Sequence, residues 1–487
     1  MVGIVSYGAY VPLHRLGKET RGWMSPTEKA VASWDEDSLT MAVEAAVDAI
    51  GGSDRNAIDG LYYASTTSPY REKLVATTLG MAADLRNDIL TADITDTLRC
   101  GTAALRMAVD TVKAGTAKRL LVSVSDRRLG AGGLAQDFGD GAAAFIIGDN
   151  DVAATLIDSY SISNELLDVW RAEGVKRTRT WEDRFVYEEG FQKVLPDAIA
   201  RFLKKAGVNL ADVAKVCLYA PDARRHREMV ARLKLQPAQV QDPMFDKVGN
   251  TGSAFCAMQL VAALENAKPG DKIMCVAYGD GADILLFQAT DKVGQVKPKW
   301  GIKRGLAAKM MVPSIDIYNA YLNTAAGDME RGGGAAASEI ARERDYIYRM
   351  YGVKCNNCGT IMFPPARVCT NCHQKDNFES IRMSDKRGKV FLFVIKPDVP
   401  AHMKPGIDTM VDFEGGGRAI FGMADCVLPA KPESKDLIDK EVEMVFRRLG
   451  GGGQTHNYFW RCRPPRESWL TAAPAAPAAP PAKEARK

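Results

Sequence analysis

Gly139-Asp140-Gly141-Ala142 recurs as Gly279-Asp280-Gly281-Ala282. In each copy a Gly-rich turn, an Ala-rich helix and a Val-rich strand come just before it, so chance recurrence of a short string does not account for the match. A chain with this pattern folds as two like halves. Duplication of a βα unit brings two equivalent helix N-termini together near a pseudo-twofold axis. By that register Asn250-Thr251-Gly252-Ser253-Ala254 mirrors the turn that holds Cys100.

The first half gives the clearest view of the unit. Ile89 to Thr95 alternates apolar and polar residues, as a half-buried strand does. A helix is expected from Thr102, with Leu105, Ala108, Val109 and Val112 on one face and Gly115 as its stop. Leu120 to Ser125 reads as a buried strand parallel to the first. Ser38 is expected to cap a helix carrying Val43, Ala46, Val47 and Ile50, and Leu61 to Ala64 and Ala143 to Ile147 read as further strands. Cys100 falls near a helix N-terminus, where unpaired N–H groups favour a thiolate. The 487 residues are enough for two or three domains. A formal charge of +4 is too small to imply a nucleic-acid or anionic membrane partner. No apolar run reaches transmembrane length, and ten cysteines, four of them in CxxC pairs, fit reduced thiols in the cytoplasm.

Arg99-Cys100-Gly101-Thr102-Ala103-Ala104-Leu105, Phe138 to Ala144 and Gly249-Asn250-Thr251-Gly252 together resemble the thiolase superfamily, and within it the hydroxymethylglutaryl-CoA synthase branch. Gly3 to Tyr10 and Asp35-Glu36-Asp37-Ser38 are similar to that branch too. The resemblance implies a duplicated five-layer α/β fold, an acyl-CoA substrate whose CoA is part of the substrate, and a homodimer or dimer of dimers. Two helix N-termini facing one pocket would then hold a thioester carbonyl or its enolate.

The family carries a nucleophilic Cys, a His and a Glu beside an Asn. Its nucleophile stands three residues before the Gly of the helix turn, which here is Leu98, not Cys100. Cys100 is therefore either a nucleophile in a shifted register or a small buried residue. The Glu slot falls on Thr66, the His slot on Tyr219, and only the Asn slot is kept, as Asn250. Ordinary hydroxymethylglutaryl-CoA synthesis is not expected of such a site, because covalent acyl transfer needs a thiolate with a base in reach. Among the histidines His226 lies nearest a candidate strand end, about two helical turns past Tyr219 and too far to replace it. Claisen or aldol chemistry beside a CoA thioester is the expected function, with Tyr219, Asn250, Cys100 and Thr66 as candidate site residues. Ser163 to Gly190, with Trp170, Arg171, Lys176, Arg177, Arg179 and Trp181, interrupts the rhythm as a solvated edge loop or a cover over a CoA tunnel.

The second module carries Cys355-x-x-Cys358 and Cys369-x-x-Cys372, the spacing of a four-thiolate structural zinc ribbon. Short runs at 390–394, 419–423, 442–446 and 456–460 suit a small OB-fold barrel. Cys358-Gly359, Phe363-Pro364-Pro365 and Cys369 resemble the zinc-ribbon/OB domain that partners thiolase-like enzymes, some of which lack the cysteine and act as retro-aldolases. That resemblance implies a barrel that shapes or caps the acyl-CoA site. The expected organisation is 1–325 thiolase-like, 326–350 linker and helix, 351–376 ribbon, 377–466 barrel and 467–487 disordered Ala/Pro tail. A catalytically silent acyl-CoA scaffold is the alternative from another class. Single-strand nucleic-acid binding, which ribbon and barrel also suggest, is disfavoured by the absence of a dense basic stripe.

Overall fold

The computed structural model describes residues 1–326, 336–429, 431–449 and 456–470. The first half comprises β1 (Gly3–Tyr10), α1 (Ser38–Ile50), β2 (Gly60–Ala64), α2 (Val75–Ala82), β3 (Leu90–Ile94), α3 (Cys100–Lys113), β4 (Arg119–Asp126) and β5 (Gly141–Gly148). The second comprises β6 (Ala154–Ser163), α4 (Gln192–Ala206), β7 (Lys215–Leu218), α5 (Ala223–Arg232), α6 (Ala254–Leu264), β8 (Lys272–Tyr278) and β9 (Gly281–Ala289). One sheet of nine strands runs β7-β8-β9-β6-β1-β5-β4-β2-β3. Read outward from the antiparallel β1–β6 pair at Gly3–Thr155 and Ile4–Ala154, both halves give the same order: first strand, fifth, fourth, second. The third strand survives as β3 in the first half and as a single parallel bridge, Val216–Val240, in the second. Duplication is thus written into the pairing itself.

Each sheet region is covered on both faces. Leu61, Tyr63, Leu121, Ala144 and Ile146 turn one way against α1 and α2. Tyr62, Leu120, Val122, Phe145 and Ile147 turn the other way, into the cluster that holds α3 and α6. α3 and α6 each pack on strands of both halves and form the central layer, with α4 on β6 and β9 of the second half and α5 burying Met229 in the same core. α3 starts at Cys100, two residues before Thr102, and buries the Leu105, Ala108, Val109 and Val112 stripe. The N-cap of α1 is Asp37 rather than Ser38: Asp37 Oδ1 accepts from Thr40 N at 2.9 Å and Thr40 Oγ1 accepts from Asp37 N at 2.8 Å. Ser38 Oγ instead donates to Thr67 O at 2.6 Å, tying α1 to the loop after β2.

The repeated glycine turns cross over. A Cβ on Gly139 would stand 1.8 Å from Val248 O, so the first turn lies flush on the segment leading to Asn250. Asn250 N donates to Asp137 O at 2.7 Å and Gly139 N to Asn250 O at 3.1 Å. The second turn does the same to the first half. Arg99 Nε donates to Gly279 O, and Arg99 Nη1 pairs with Asp283 at 2.8 Å. A Cβ on Gly101 would stand 2.8 Å from Ser253 O, so the starts of α3 and α6 touch through a glycine.

Beyond β9 come α7 (Ile315–Ala326) and α8 (Ala337–Ile347), then the ribbon strands β10 (Tyr351–Cys355), β11 (Ile361–Met362) and β12 (Phe378–Arg382). β12 pairs with β10 from Tyr351–Arg382 to Cys355–Phe378, so the ribbon sheet extends past residue 376. The barrel strands are β13 (Gly388–Lys396), β14 (Gly406–Phe413), β15 (Arg418–Gly422), β16 (Glu441–Arg448) and β17 (Tyr458–Arg463), in the order β15-β14-β13-β16-β17. β14 was not among the expected strands, since its buried Ile407, Val411 and Phe413 alternate with Asp408 and Asp412. A parallel bridge from Met423 to Cys462 brings β15 to β17 and nearly closes the barrel. The expected linker glycines Gly332-Gly333-Gly334 and residues 471–487 of the tail lie outside the described residues. Residues 467–470, expected as tail, are packed: Trp469 lies in the cluster of Leu13, Trp300 and Ala308.

The barrel docks on the α1–α2 layer through buried charge. Arg447 is 0% exposed and pairs with Glu36 and Asp425, both at 2.7 Å. Arg461 reaches Asp35 at 3.2 Å, Arg463 reaches Glu44 at 3.4 Å, and Tyr458 Oη donates to Asp37 at 2.7 Å. Burial alone would push the Asp425 carboxyl up, but Arg447, His14 and Arg463 outweigh it and hold it well below the usual range. The ribbon adds Arg349 on Asp84 at 2.6 Å and Arg382 on the α2 terminal carbonyl of Ala82 at 3.0 Å. Arg447→Ala leaves Glu36 and Asp425 buried without their shared cation. It is expected to cost about 3–5 kcal/mol in urea unfolding, as breaking a buried pair from one side does; a loss below about 1 kcal/mol would show that the charges are not what fastens the barrel.

Candidate active site and ribbon metal centre

The carboxyl ends of the strands open on one cavity of about 430 Å3. Its wall takes Thr66 from the end of β2, Thr97 and Leu98 from the turn before α3, and Arg128 from the end of β4. Tyr219 comes from the end of β7 and Tyr278 from the end of β8. The 163–190 insertion supplies Leu166 to Arg171, so it covers the cavity rather than forming a detached edge loop. Arg171 Nη2 donates to Thr66 O at 2.7 Å and fastens that cover to the loop after β2.

Asp126 fixes the floor. Its carboxylate accepts from Ser65 Oγ at 3.0 Å, Thr66 N at 2.7 Å, Thr66 Oγ1 at 2.9 Å, Thr67 Oγ1 at 3.0 Å and, across the halves, Ser253 N at 2.8 Å. Thr66 therefore spends its hydroxyl proton on Asp126. Asn250 is buried behind the cavity wall: Nδ2 faces Tyr219 Oη at 3.5 Å, Ala220 O at 3.3 Å and Pro221 O at 3.0 Å, while Oδ1 accepts from Gly252 N at 2.9 Å. Every polar atom of the amide is engaged, and it holds Tyr219 and the chain after it.

Tyr219 is 5% exposed. Its ring stacks on Tyr278 at 6.3 Å between centroids and meets Phe255 edge-on at 5.6 Å. Burial raises its hydroxyl pKa, against the pull of Arg128 and Asn250. Arg128, itself buried, lies 3.9 Å over the Phe138 ring. Asp168 from the insertion is pushed up to about 6 by burial, with the Tyr278 hydroxyl and Arg225 opposing the shift.

Leu98 lines the cavity and Cys100 does not. Cys100 is fully buried among Ala104, Val124 and the α6 start, and burial drives its thiol far above the ordinary range. The helix end does not produce a thiolate here, because desolvation of a buried sulfur outweighs the macrodipole. His226 is buried against Phe245 at 6.2 Å on the far side of α5 and does not reach the cavity. Among the described residues no barrel side chain lines the cavity, so the expectation that the barrel caps the site of its own chain is not met: it is held instead on α1 and α2.

Asp126, Arg128, Asp168 and Tyr278 were not foreseen. The duplication carried a signal for Tyr278, since an aromatic precedes each Gly-Asp-Gly: Phe138 under Arg128 in one copy, Tyr278 on Tyr219 in the other. Asp168 lies in a stretch without periodicity, where sequence offers nothing to read.

In the ribbon, the sulfurs of Cys355, Cys358, Cys369 and Cys372 lie within 4.8 Å of one another. The Cys355–Cys372 and Cys358–Cys369 pairs are each 3.6 Å apart, near the ~3.8 Å edge of a zinc–thiolate tetrahedron with ~2.3 Å bonds. Gly359 takes φ +74° to close the first knuckle, its N donating to Cys355 O at 2.8 Å, and His373 N closes the second on Cys369 O at 3.1 Å. The residues present fit zinc, with His373 outside the set of ligands.

Two facing helix starts under a duplicated sheet define a thiolase-like protein, and comparison with known proteins agrees. Residues 203–285 match the 3-oxoacyl-[acyl-carrier-protein] synthase III C-terminal family, and residues 342–379 the ChsH2 rubredoxin-like zinc ribbon domain. Hydroxymethylglutaryl-CoA synthase of Methanopyrus kandleri is 32% identical over 317 residues, covering 61% of this chain and 90% of the relative. The enzyme of Methanocaldococcus jannaschii is also 32% identical, with 61% and 92% covered. Among solved structures, an HMG-CoA synthase complexed with CoA superposes with a TM-score of 0.57 at 19% identity over 66% of this chain and 89% of that one. The 3-oxoacyl-[acyl-carrier-protein] synthase III of Aquifex aeolicus gives 0.52 at 20% identity over 59% of this chain and 100% of that one. The chain belongs to the hydroxymethylglutaryl-CoA synthase family of thiolase-like proteins and carries a zinc ribbon and barrel beyond it.

Cys369→Ser removes one of four convergent ligands, so elemental analysis is expected to fall from roughly one zinc per chain to well below it, with loosening of the ribbon. Absence of zinc from the native protein would overturn the assignment.

Proposed function

We propose that this chain makes or breaks a carbon–carbon bond beside a CoA thioester by aldol-type chemistry without an acyl-enzyme. The observation that carries the reading is the pairing of Leu98 in the nucleophile slot with a buried Tyr219 held at the same cavity by Asn250. An aliphatic side chain forms no thioester, and Cys100 is sealed in the core with its thiol protonated. Aldol cleavage needs no covalent intermediate: it needs the thioester carbonyl to accept electrons and a proton to reach the resulting enolate.

Each group has a part in that reaction. The turn before α3, whose Thr97 and Leu98 line the wall, receives the thioester oxygen as charge develops on it. Tyr219 stays protonated at neutral pH because burial raises its pKa, so it serves as the proton donor to the enolate carbon. Asn250 positions Tyr219, and Asp126 positions the Ser65–Thr67 loop. In this reading residues 1–325 carry the reaction as a homodimer, and the ribbon and barrel brace the α1–α2 layer from outside. CoA as the acyl carrier rests on the family and on the CoA complex of a structural neighbour.

A panel of β-hydroxyacyl-CoA thioesters tests the reading. Tyr219→Phe is expected to lower cleavage about a hundredfold or more, the usual contribution of an acid–base group. Cys100→Ala is expected to lower it less than about tenfold, through stability alone. Intact-protein mass spectrometry is expected to find no acyl adduct. An acyl group on Cys100 together with an active Tyr219→Phe enzyme would restore covalent chemistry, and a wild-type protein that binds these thioesters but cleaves none would establish the silent scaffold.

A further inference from the structure

The proposed cleavage needs a base for the β-hydroxyl proton, and the slot where the family keeps its Glu holds Thr66. Tyr219 cannot be that base while its own proton is held. Six carboxylates line the cavity: Asp96, Glu165, Asp168, Glu173, Asp183 and Asp280. All but Asp168 are exposed. Asp168 is seated where the inserted segment meets the end of β8. Gly190 of the same segment leaves room for the Tyr278 hydroxyl, which would lie 2.2 Å from a Cβ there, and Phe191 meets the Tyr278 ring edge-on at 5.5 Å. The insertion is therefore clamped to Tyr278, and Tyr278 is stacked on Tyr219.

We propose that Asp168, delivered by the insertion to the cavity that Tyr278 and Tyr219 also line, is the catalytic base that replaces the family's missing carboxylate. The inference rests on the aldol reading of the cavity and names its base. The step balances without a co-reactant. The Asp168 carboxylate takes the β-hydroxyl proton, the Cα–Cβ bond breaks, and its electron pair passes into the thioester carbonyl, giving an enolate and a free carbonyl compound. The Tyr219 hydroxyl gives its proton to Cα, the proton on Asp168 passes to solvent in the cavity, and Tyr219 is reprotonated from it. Two neighbouring acids with opposite preferences, a carboxyl near neutrality and a phenol well above it, are the arrangement that lets one site run both proton transfers.

The groups facing Asp168 set its titration. Tyr278 at the end of β8 and Arg225 on α5 favour the carboxylate, while Asp183 in the insertion and Asp280 in the glycine turn oppose it, all beneath a larger effect of burial. Cleavage is expected to fall as pH drops through about 6, where the base becomes protonated. Tyr278→Phe removes the hydroxyl that favours the charged form of Asp168, so that limb is expected to move to higher pH.

The test is the pH profile of kcat for β-hydroxyacyl-CoA cleavage in wild type, Asp168→Asn, Asp168→Glu and Tyr278→Phe, alongside affinity for acyl-CoA by calorimetry. Asp168→Asn is expected to lose about a hundredfold or more in kcat and its acid limb, with acyl-CoA affinity kept within about threefold. Asp168→Glu is expected to recover part of the rate with a displaced limb. An active wild type whose acid limb persists in Asp168→Asn would overturn Asp168 as base and leave the aldol reading standing. Equal losses in Asp168→Asn and Asp168→Glu accompanied by lost acyl-CoA binding would make Asp168 a structural anchor of the cover, which also overturns the proposal. A wild type that cleaves no thioester removes the aldol reading itself.

Discussion

The two Gly-Asp-Gly turns hold this structure together by crossing. Each lies on the turn that opens the central helix of the other half, close enough at Gly139 that a single methyl group would collide with Val248 O. Close backbone approach of this kind transmits position, because packed interiors are poorly compressible. The starts of α3 and α6 are thereby set against each other, with Gly101 against Ser253 and the Asp126 carboxylate spanning from the Ser65–Thr67 loop to Ser253 N. Leu98, Tyr219 and Thr66 come from three strand ends far apart in sequence and share a cavity because those turns leave the halves one way to fit.

The second module is fastened by a different force. Arg447, Arg461 and Arg463 meet Asp35, Glu36, Glu44 and Asp425 out of water, where each charge depends on its partner. Asp35-Glu36-Asp37 also opens α1, through the Asp37 capping box, so the barrel grips the end of a helix that packs on β1, β4 and β5. That gives the ribbon and barrel a mechanical link to the site without a side chain in it.

Much of the fold was legible because it is periodic. The repeat predicted two halves, the 3.6-residue stripe predicted α3, and the CxxC pairs predicted four sulfurs that the structure gathers within 4.8 Å. The slots Leu98, Thr66 and Tyr219 could be counted along the chain, and they do converge. Counting placed Leu98 rather than Cys100 in the nucleophile slot and left Cys100 as a shifted nucleophile or a small buried residue; packing decides for the buried residue, because desolvation prevails over the helix end. Asp168 and Arg128 were out of reach, since neither a loop nor the residue after a strand carries a period. β14 was missed because alternating Asp residues on its outer face dilute the apolar signal.

A cavity that stabilises a thioester enolate with no covalent bond to the protein exchanges the Cα protons of propionyl-CoA in D2O, which NMR follows, with intact-protein mass spectrometry on the same sample. The protein is expected to accelerate exchange above the buffer rate while its mass stays that of the unmodified chain. Exchange found only with a propionyl adduct on the protein, or no exchange at saturating propionyl-CoA, would contradict non-covalent stabilisation of the enolate.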